Sequence, residues 1–177
     1  MGKPIAFCLY LGYNAGKELP LKGGSPMAVP SVFASPVSGS VLPLSQCEDP
    51  CFAQGRMGRG VLLLPSTHTL LAPADAQVYF AFSTGHAVGL QTSLGEQFIL
   101  HVGLDTHRLQ GRGFQLHVSR GDMVARGEPL LTFDPTILTQ SGFSLAMPMV
   151  FCNCAQRRLR ILKLGMVAAG EDLVMLY

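Results

Sequence analysis

Charged residues are scarce and tryptophan is absent from this sequence of 177 residues. Asp, Glu, Lys and Arg make up 14% of the chain, and the formal net charge is +2. So small a charge argues against nucleic-acid binding, which requires a strongly basic face. We expect the one basic cluster near the C-terminus, Arg157, Arg158 and Arg160, to be a solvated face. Hydrophobic residues reach 48%, enough to build a core, and the length fits one domain.

No run of about 18 or more apolar residues occurs, so the sequence predicts no membrane-spanning helix. The first 27 residues combine a short apolar stretch with several glycines. The stretch is short for a signal peptide, and no clear cleavage site follows it. We therefore expect residues 1–27 to be a poorly ordered lead-in or linker, and residues 28–177 to form the domain.

Cysteine occurs five times, and an odd number argues against a framework of disulfide bonds. Four of the cysteines form close pairs in sequence, Cys47 with Cys51 and Cys152 with Cys154. If the fold brought the two pairs together, four thiolates would form a zinc site. The alternative is a set of separate reduced thiols.

Short apolar runs separated by turn residues fill the chain after residue 28. Glycine and proline, with 20 and 12 residues, punctuate these runs, a pattern that is typical of strands joined by tight turns. The pattern predicts an all-β sandwich or barrel of short antiparallel strands.

Two local patterns add detail to this fold. One short helix is expected to begin at Pro135, with Asp134 as its N-cap and Leu138 packed inward. Glycine-led turns at Gly121–Leu130 and Gly165–Glu171 resemble each other and suggest an internal duplication.

Two histidines attract attention, because His86 opens one apolar run and His101 lies in the next. If the runs form a hairpin in which the numbers of opposed residues sum to 187, His86 lies directly opposite His101. Opposed side chains share a face, with Cβ atoms about 4.5–5.5 Å apart. A neutral imidazole is a good nucleophile, and Thr84 or Asp105 would orient one ring through its other nitrogen. The alternative is that both histidines are ordinary strand residues.

His101 also begins the string His-Val-Gly-Leu-Asp-Thr, residues 101–106. Further motifs with fixed spacing lie on both sides of it: Ser35–Gly39, Asp49–Ala53, Gly58–Gly60, Leu71–Asp75, Thr84–Ala87, Leu109–Phe114, Gly121–Gly127 and Phe133–Asp134. From about residue 31 to the C-terminus, this series resembles the glucose-family enzyme IIA domains of the bacterial sugar phosphotransferase system.

The resemblance implies a β-sandwich or barrel with duplicated hairpin motifs and at most one or two short helices. It also implies a phosphoryl carrier with a phosphohistidine intermediate that needs neither a cofactor nor a metal. His101 would accept the phosphoryl group from the histidine-containing phosphocarrier protein and pass it to a cysteine of an enzyme IIB domain, for sugar uptake. His86 would be its neighbour, and Thr84 would orient His86. Such a domain works in the cytoplasm, alone or as part of a membrane permease.

A partner-binding surface is implied as well, with Asp49 and Asp105 as acidic residues beside the site and Phe52 in an apolar docking patch. We expect departures from the usual family pattern to alter partner affinity rather than the chemistry. These departures are Cys51, Arg59, Gln97 and His107.

Other functions stay open on the residues alone. A non-catalytic regulatory or binding module would use the same apolar surface. The spacing His101-x-x-x-Asp105 suggests a zinc peptidase, but the His-x-His pair that such a family needs is absent. Adventitious zinc at His86 and His101 is a further alternative, since paired imidazoles suit the metal. Biotin attachment is excluded, because Pro148 stands where the modified lysine is needed.

Overall fold

The computed structural model describes residues 29–177, so the predicted lead-in at residues 1–27 lies outside the described residues. The described part consists mainly of fourteen short strands: β1 Ser31–Ala34, β2 Gly39–Pro43, β3 Arg59–Pro65, β4 Thr69–Leu71, β5 Ala76–Ala81, β6 Ala87–Gln91, β7 Gln97–His101, β8 Phe114–Leu116, β9 Met123–Val124, β10 Pro129–Phe133, β11 Met147–Phe151, β12 Leu159–Ile161, β13 Gly165–Val167 and β14 Asp172–Leu176. Between them lie the helices α1 Pro50–Ala53 and α2 Pro135–Gln140, and the 3-10 turns Leu44–Gln46 and Thr106–Leu109. The predicted all-β fold with at most two short helices is confirmed.

The strands form three sheets in which every pair is antiparallel. The large sheet has the order β13-β2-β3-β11-β7-β6-β5-β9. The two small sheets have the orders β1-β14-β12 and β4-β10-β8. Strands β11 and β7 lie in the middle of the large sheet, and three strands follow on each side: β3, β2 and β13 beside β11, and β6, β5 and β9 beside β7. A duplicated motif produces such a symmetric order.

The two crossings from a small sheet into the large sheet show the duplication most directly. The backbone N–H of Ala34 donates to the carbonyl of Pro73, and that of Leu71 donates to the carbonyl of Pro36, both at 2.9 Å. Each crossing therefore binds the other in the same way.

The two glycine-led turns that resemble each other in sequence also share their structure. In one, the backbone N–H of Ala125 donates to the Glu128 carboxylate at 2.9 Å. In the other, the backbone N–H of Ala168 donates to the Glu171 carboxylate at 3.0 Å. The internal duplication suggested by the sequence is therefore present in the fold.

Helix α2 forms as its sequence predicts. The Asp134 carboxylate accepts from the backbone N–H groups of Thr136 at 2.8 Å and Ile137 at 3.2 Å. This cap satisfies amides that a helix start leaves without partners. Leu138 is fully buried. Neither helix in residues 29–177 is long and apolar enough to cross a membrane.

Hydrophobic cores cover both faces of the large sheet, because successive residues of a strand point to opposite faces. The main core includes Phe33, Phe98 and Phe151, whose ring centroids lie 4.8–5.5 Å apart. A smaller cluster on the other face includes Ile99 of β7 and Phe52 of α1. Helix α1 therefore covers the sheet face toward which the alternate residues of β7 point.

A buried ion pair ties the N-terminal strand, the β6–β7 turn and the C-terminal strand together. Glu96 is 4% exposed and accepts from the Arg157 guanidinium and from the hydroxyl of Ser31. The guanidinium also donates to the carbonyls of Val29 at 2.7 Å and Leu176 at 2.9 Å. Arg158 and Arg160 are exposed as expected, but the expectation of a solvated face is wrong for Arg157, because Glu96 provides a buried counter-charge.

Replacing Arg157 with Met should lower the free energy of unfolding by about 3 kcal/mol, because the buried Glu96 carboxylate loses its counter-charge. Urea unfolding followed by circular dichroism measures the change. The matched control is Arg160→Met, at an exposed position of β12, which should cost less than about 0.5 kcal/mol. The double variant Glu96→Gln/Arg157→Met should recover part of the loss. Equal effects of the two single arginine variants would contradict this account.

Candidate active site

The two histidines lie side by side at neighbouring strand ends of the large sheet. His101 is the last residue of β7, and His86 immediately precedes β6. Each residue is only 2% exposed. Their ring centroids are 5.1 Å apart, and the rings meet edge to face with an interplanar angle of 73°. The fold therefore brings the two predicted site histidines into direct contact.

The strand register beneath this contact differs from the predicted one by one residue. Opposed residues of β6 and β7 sum to 188, as in the pair of Ala87 and His101. The predicted sum of 187 is therefore wrong. The turn over residues 92–96 causes the shift, because a hydrogen bond from the backbone N–H of Thr92 to the carbonyl of Glu96 closes a longer loop than the two-residue turn expected.

The rings nevertheless meet, because His86 lies outside the regular strand. It follows Gly85, whose φ is +69°, a left-handed conformation that favours glycine. A Cβ at Gly85 would lie 2.8 Å from Cβ of Phe114. The turn before β6, rather than strand alternation, therefore aims His86 at His101.

A backbone carbonyl sets the tautomer of His101. Nδ1 of His101 lies 2.6 Å from the carbonyl oxygen of Gly103. Because a carbonyl oxygen only accepts, Nδ1 carries the proton and Nε2 carries the lone pair. Gly103 has a φ of +72°, and a Cβ there would lie 2.5 Å from Cγ2 of Thr106 and 2.7 Å from the carbonyl oxygen of Ser144. The chain after His101 can therefore present this carbonyl only with glycine at position 103.

Thr84 and Phe82 both contact the His86 ring. Its Nδ1 lies 2.6 Å from the hydroxyl oxygen of Thr84. The Phe82 ring stacks on it with centroids 4.9 Å apart and an interplanar angle of 17°. The structure therefore brings Thr84 to the atom of His86 at which it is expected to act.

Burial keeps both imidazoles neutral. Burial lowers the pKa of His101 to about 3, assisted by the charges of His86 and His107 and opposed by the hydrogen bond to Gly103. Burial also lowers the pKa of His86 to about 4, again assisted by the charge of His107. Near neutral pH, Nε2 of His101 therefore stays unprotonated.

The residues expected to bind partners surround the pair in different ways. Phe52 is 1% exposed, and its ring centroid lies 5.6 Å from that of His101. Asp49 caps α1 by accepting from the backbone N–H of Cys51 at 2.7 Å. Asp105 is exposed and has a left-handed φ of +57°. Partner contact at these positions stays a prediction, while the observed contact of Phe52 supports the His101 ring.

Zinc binding by clustered ligands finds no support between residues 29 and 177. No group of three or more His, Cys, Asp or Glu side chains in that range could hold a metal ion. The hypotheses of a four-thiolate zinc site and of a zinc peptidase are therefore wrong for the described residues. Cys47, Cys51 and Cys154 are buried, and burial raises the pKa of Cys152 to about 12.

Two residues of the site escaped the sequence reasoning. Phe82 carried no signal beyond being an aromatic two positions before Thr84, yet it stacks on His86. His107 was recognised as a departure from the family pattern but not as a site residue. Its ring centroid lies 6.2 Å from that of His86. The signal that could have found it is a third histidine six positions after His101.

Comparison with known proteins identifies the family of this chain. A family model described as phosphoenolpyruvate-dependent sugar phosphotransferase system, EIIA 1, matches residues 31–157. The glucose-specific EIIA component of Oceanobacillus iheyensis is 34% identical over 142 residues, covering 80% of this chain and 86% of that protein. The glucose-specific EIIBCA component of Corynebacterium glutamicum is 43% identical over 121 residues, covering 68% of this chain. The chain spans only 18% of the length of that longer relative.

A solved structure shows the same architecture. The glucose permease IIA of Mycoplasma capricolum matches with a TM-score of 0.81 and 30% sequence identity, over 86% of this chain and 99% of that one. The resemblance inferred from the sequence motifs is therefore confirmed. The chain belongs to the EIIA 1 family of the phosphoenolpyruvate-dependent sugar phosphotransferase system, whose members are phosphotransferase components of that system.

Proposed function

We propose that this domain carries phosphoryl groups on Nε2 of His101. The histidine-containing phosphocarrier protein is the donor, and a cysteine of an enzyme IIB domain is the acceptor. One observation carries the assignment: the hydrogen bond between Nδ1 of His101 and the Gly103 carbonyl places the ring proton on Nδ1, so that Nε2 is the nitrogen that carries the lone pair. Burial keeps that nitrogen unprotonated, as nucleophilic attack requires.

In the first transfer, the lone pair of His101 Nε2 attacks the phosphorus carried by the donor. The donor's P–N bond breaks, and its electron pair stays with the donor imidazole. The proton of His101 stays on Nδ1, where the Gly103 carbonyl accepts its hydrogen bond. Transfer of this kind depends on positioning and charge stabilisation, which the locked ring provides.

In the second transfer, the acceptor thiolate attacks the same phosphorus from the opposite side. The P–N bond to His101 breaks, and its electron pair returns to Nε2. Because Nδ1 has kept its proton throughout, the ring leaves as a neutral imidazole. The Gly103 carbonyl therefore makes His101 a good leaving group as well as a good nucleophile.

His86 serves as the hydrogen-bond donor beside the reacting atoms. The Thr84 hydroxyl can donate to its Nδ1, which leaves a proton on Nε2. The thiolate adds negative charge in the second transfer, and a phosphoryl dianion beside His86 favours its protonated form. Help from His86 therefore matters more for passing the group on than for accepting it.

The names of the relatives support the choice of acceptor. Several are named EIIBCA or EIICBA components, in which the matching segment covers about a fifth of the protein. Fusion of this kind places an EIIA segment and an EIIB segment in one chain. A domain with this role acts in the cytoplasm, where the phosphocarrier protein meets it.

His101→Ala should abolish phosphorylation of the domain, because it removes the nucleophilic nitrogen. His86→Gln should still accept the group, but should pass it on about 10²- to 10⁴-fold more slowly, because an amide cannot gain a proton. Radiolabelled phosphoenolpyruvate, with the general enzymes of the system and an IIB domain, measures both steps. Label on His101→Ala, or fast onward transfer by His86→Gln, would reverse the assignment.

The His101 ring should stay neutral, with its proton on Nδ1, from about pH 8 down to about pH 5, since its pKa is lowered to about 3. Its folded-state pKa lies below the unfolded value, so the ring gains a proton only well into acid. Nuclear magnetic resonance of the ring ¹⁵N nuclei measures this directly. A transition of His101 in the ordinary histidine range would contradict the prediction.

A further inference from the structure

We propose that His107 is a third imidazole of the phosphotransfer site, whose ring N–H donates to the phosphoryl group while that group resides on His101. This inference rests on the proposed function and deepens it. The position of His107 suggests this role. His107 is exposed on the 3-10 turn Thr106–Leu109, whereas His86 and His101 are buried.

The distances fit a shared anion. The ring centroids of His86 and His107 are 6.2 Å apart and tilted by 56°, farther apart than the 5.1 Å of His86 and His101. Two imidazoles so separated are too far apart for a direct N–H···N bond. An anionic oxygen between them accepts from both at ordinary donor–acceptor distances of about 2.7–3.2 Å.

The turn holds the His107 backbone in place. The buried Thr106 donates to the carbonyl of Val102 at 2.6 Å, which ties the turn to the end of β7. Asp105, before the turn, has a left-handed φ of +57°, and its carbonyl accepts from the backbone N–H of Arg108 at 3.1 Å. His107 is therefore presented to the histidine pair by a fixed loop.

The charged and titratable groups near His107 lie in its own turn and at the ends of β6 and β7. Asp105 and Arg108 flank it in its own turn, and the Arg108 guanidinium lies over the ring of Phe143 at 5.9 Å. His86 and His101 face it from the starts and ends of β6 and β7. Their burial favours the neutral form of each.

Phosphorylation changes the charge at this point of the surface. Before transfer, the two inner rings are neutral, and the charge of His107 lowers the pKa of both. After transfer, a phosphoryl dianion stands at the same place, and a negative charge out of water needs a partner. His107 thus disfavours protonation of the nucleophile before the reaction and meets the anion after it. No covalent bond to His107 forms or breaks.

The test compares the phosphoryl-exchange equilibrium between this domain and the phosphocarrier protein for wild type, His107→Val and His107→Gln. Near pH 6, His107→Val should shift the equilibrium about tenfold toward the phosphocarrier, because a charge-assisted hydrogen bond is lost. His107→Gln should fall between the two, since its amide donates without charge.

Two comparisons keep the outcomes distinct. His68→Gln, which changes an exposed histidine in the β3–β4 turn, should leave the equilibrium unchanged. The phosphocarrier's own titration is common to all variants and cancels in their ratios. Failure of wild type to become labelled would contradict the proposed function itself. If His101 becomes labelled and His107→Val has the same exchange equilibrium as wild type, the role of His107 alone would be overturned.

Discussion

The hydrogen bond between Nδ1 of His101 and the carbonyl of Gly103 is the interaction on which the chemistry of this domain depends. It fixes which nitrogen holds the proton, and so which one can attack phosphorus. Its geometry requires a glycine at position 103, because a side chain there would collide with Thr106 and with the Ser144 carbonyl. Other features of the site act on the same ring: Phe52 packs against the His101 imidazole, and burial keeps that imidazole neutral.

The fold is duplicated, but the histidine site occurs in only one of the two copies of the motif. Val150 of β11 lies opposite Gly60 of β3, as His101 of β7 lies opposite Ala87 of β6. The two pairs occupy equivalent positions in the two halves of the large sheet. The position that His101 holds in one half is held in the other half by Val150, a fully buried apolar residue. One copy of the motif therefore supplies core and the other supplies chemistry. The small sheets and their reciprocal crossings hold both copies in register.

Sequence reasoning predicts most of this fold, and its failures have physical causes. Short apolar runs predict the strands, and an Asp-Pro cap predicts α2, because these features depend on neighbouring residues. The predicted β6–β7 register differs from the observed one by one residue. The alternation of apolar and polar residues in two strands does not determine the length of the turn between them. Arg157 was placed on a solvated face, because its partner Glu96 is distant in sequence. The contact of His107 with His86 has the same cause, since 21 positions separate the two residues. The stacking of Phe82 on His86 depends instead on the conformation of the turn at Gly85, which strand alternation does not predict.

The most direct test of the central claim is the position of the phosphoryl group on the His101 ring. Heteronuclear magnetic resonance of the ¹⁵N-labelled phosphoprotein distinguishes a phosphorylated Nε2 from a phosphorylated Nδ1 through the coupling of phosphorus to each ring nitrogen. The account predicts phosphorus on Nε2, with the Nδ1 proton still bound and directed at the Gly103 carbonyl. Phosphorus on Nδ1 of His101, or on either nitrogen of His86, would contradict it.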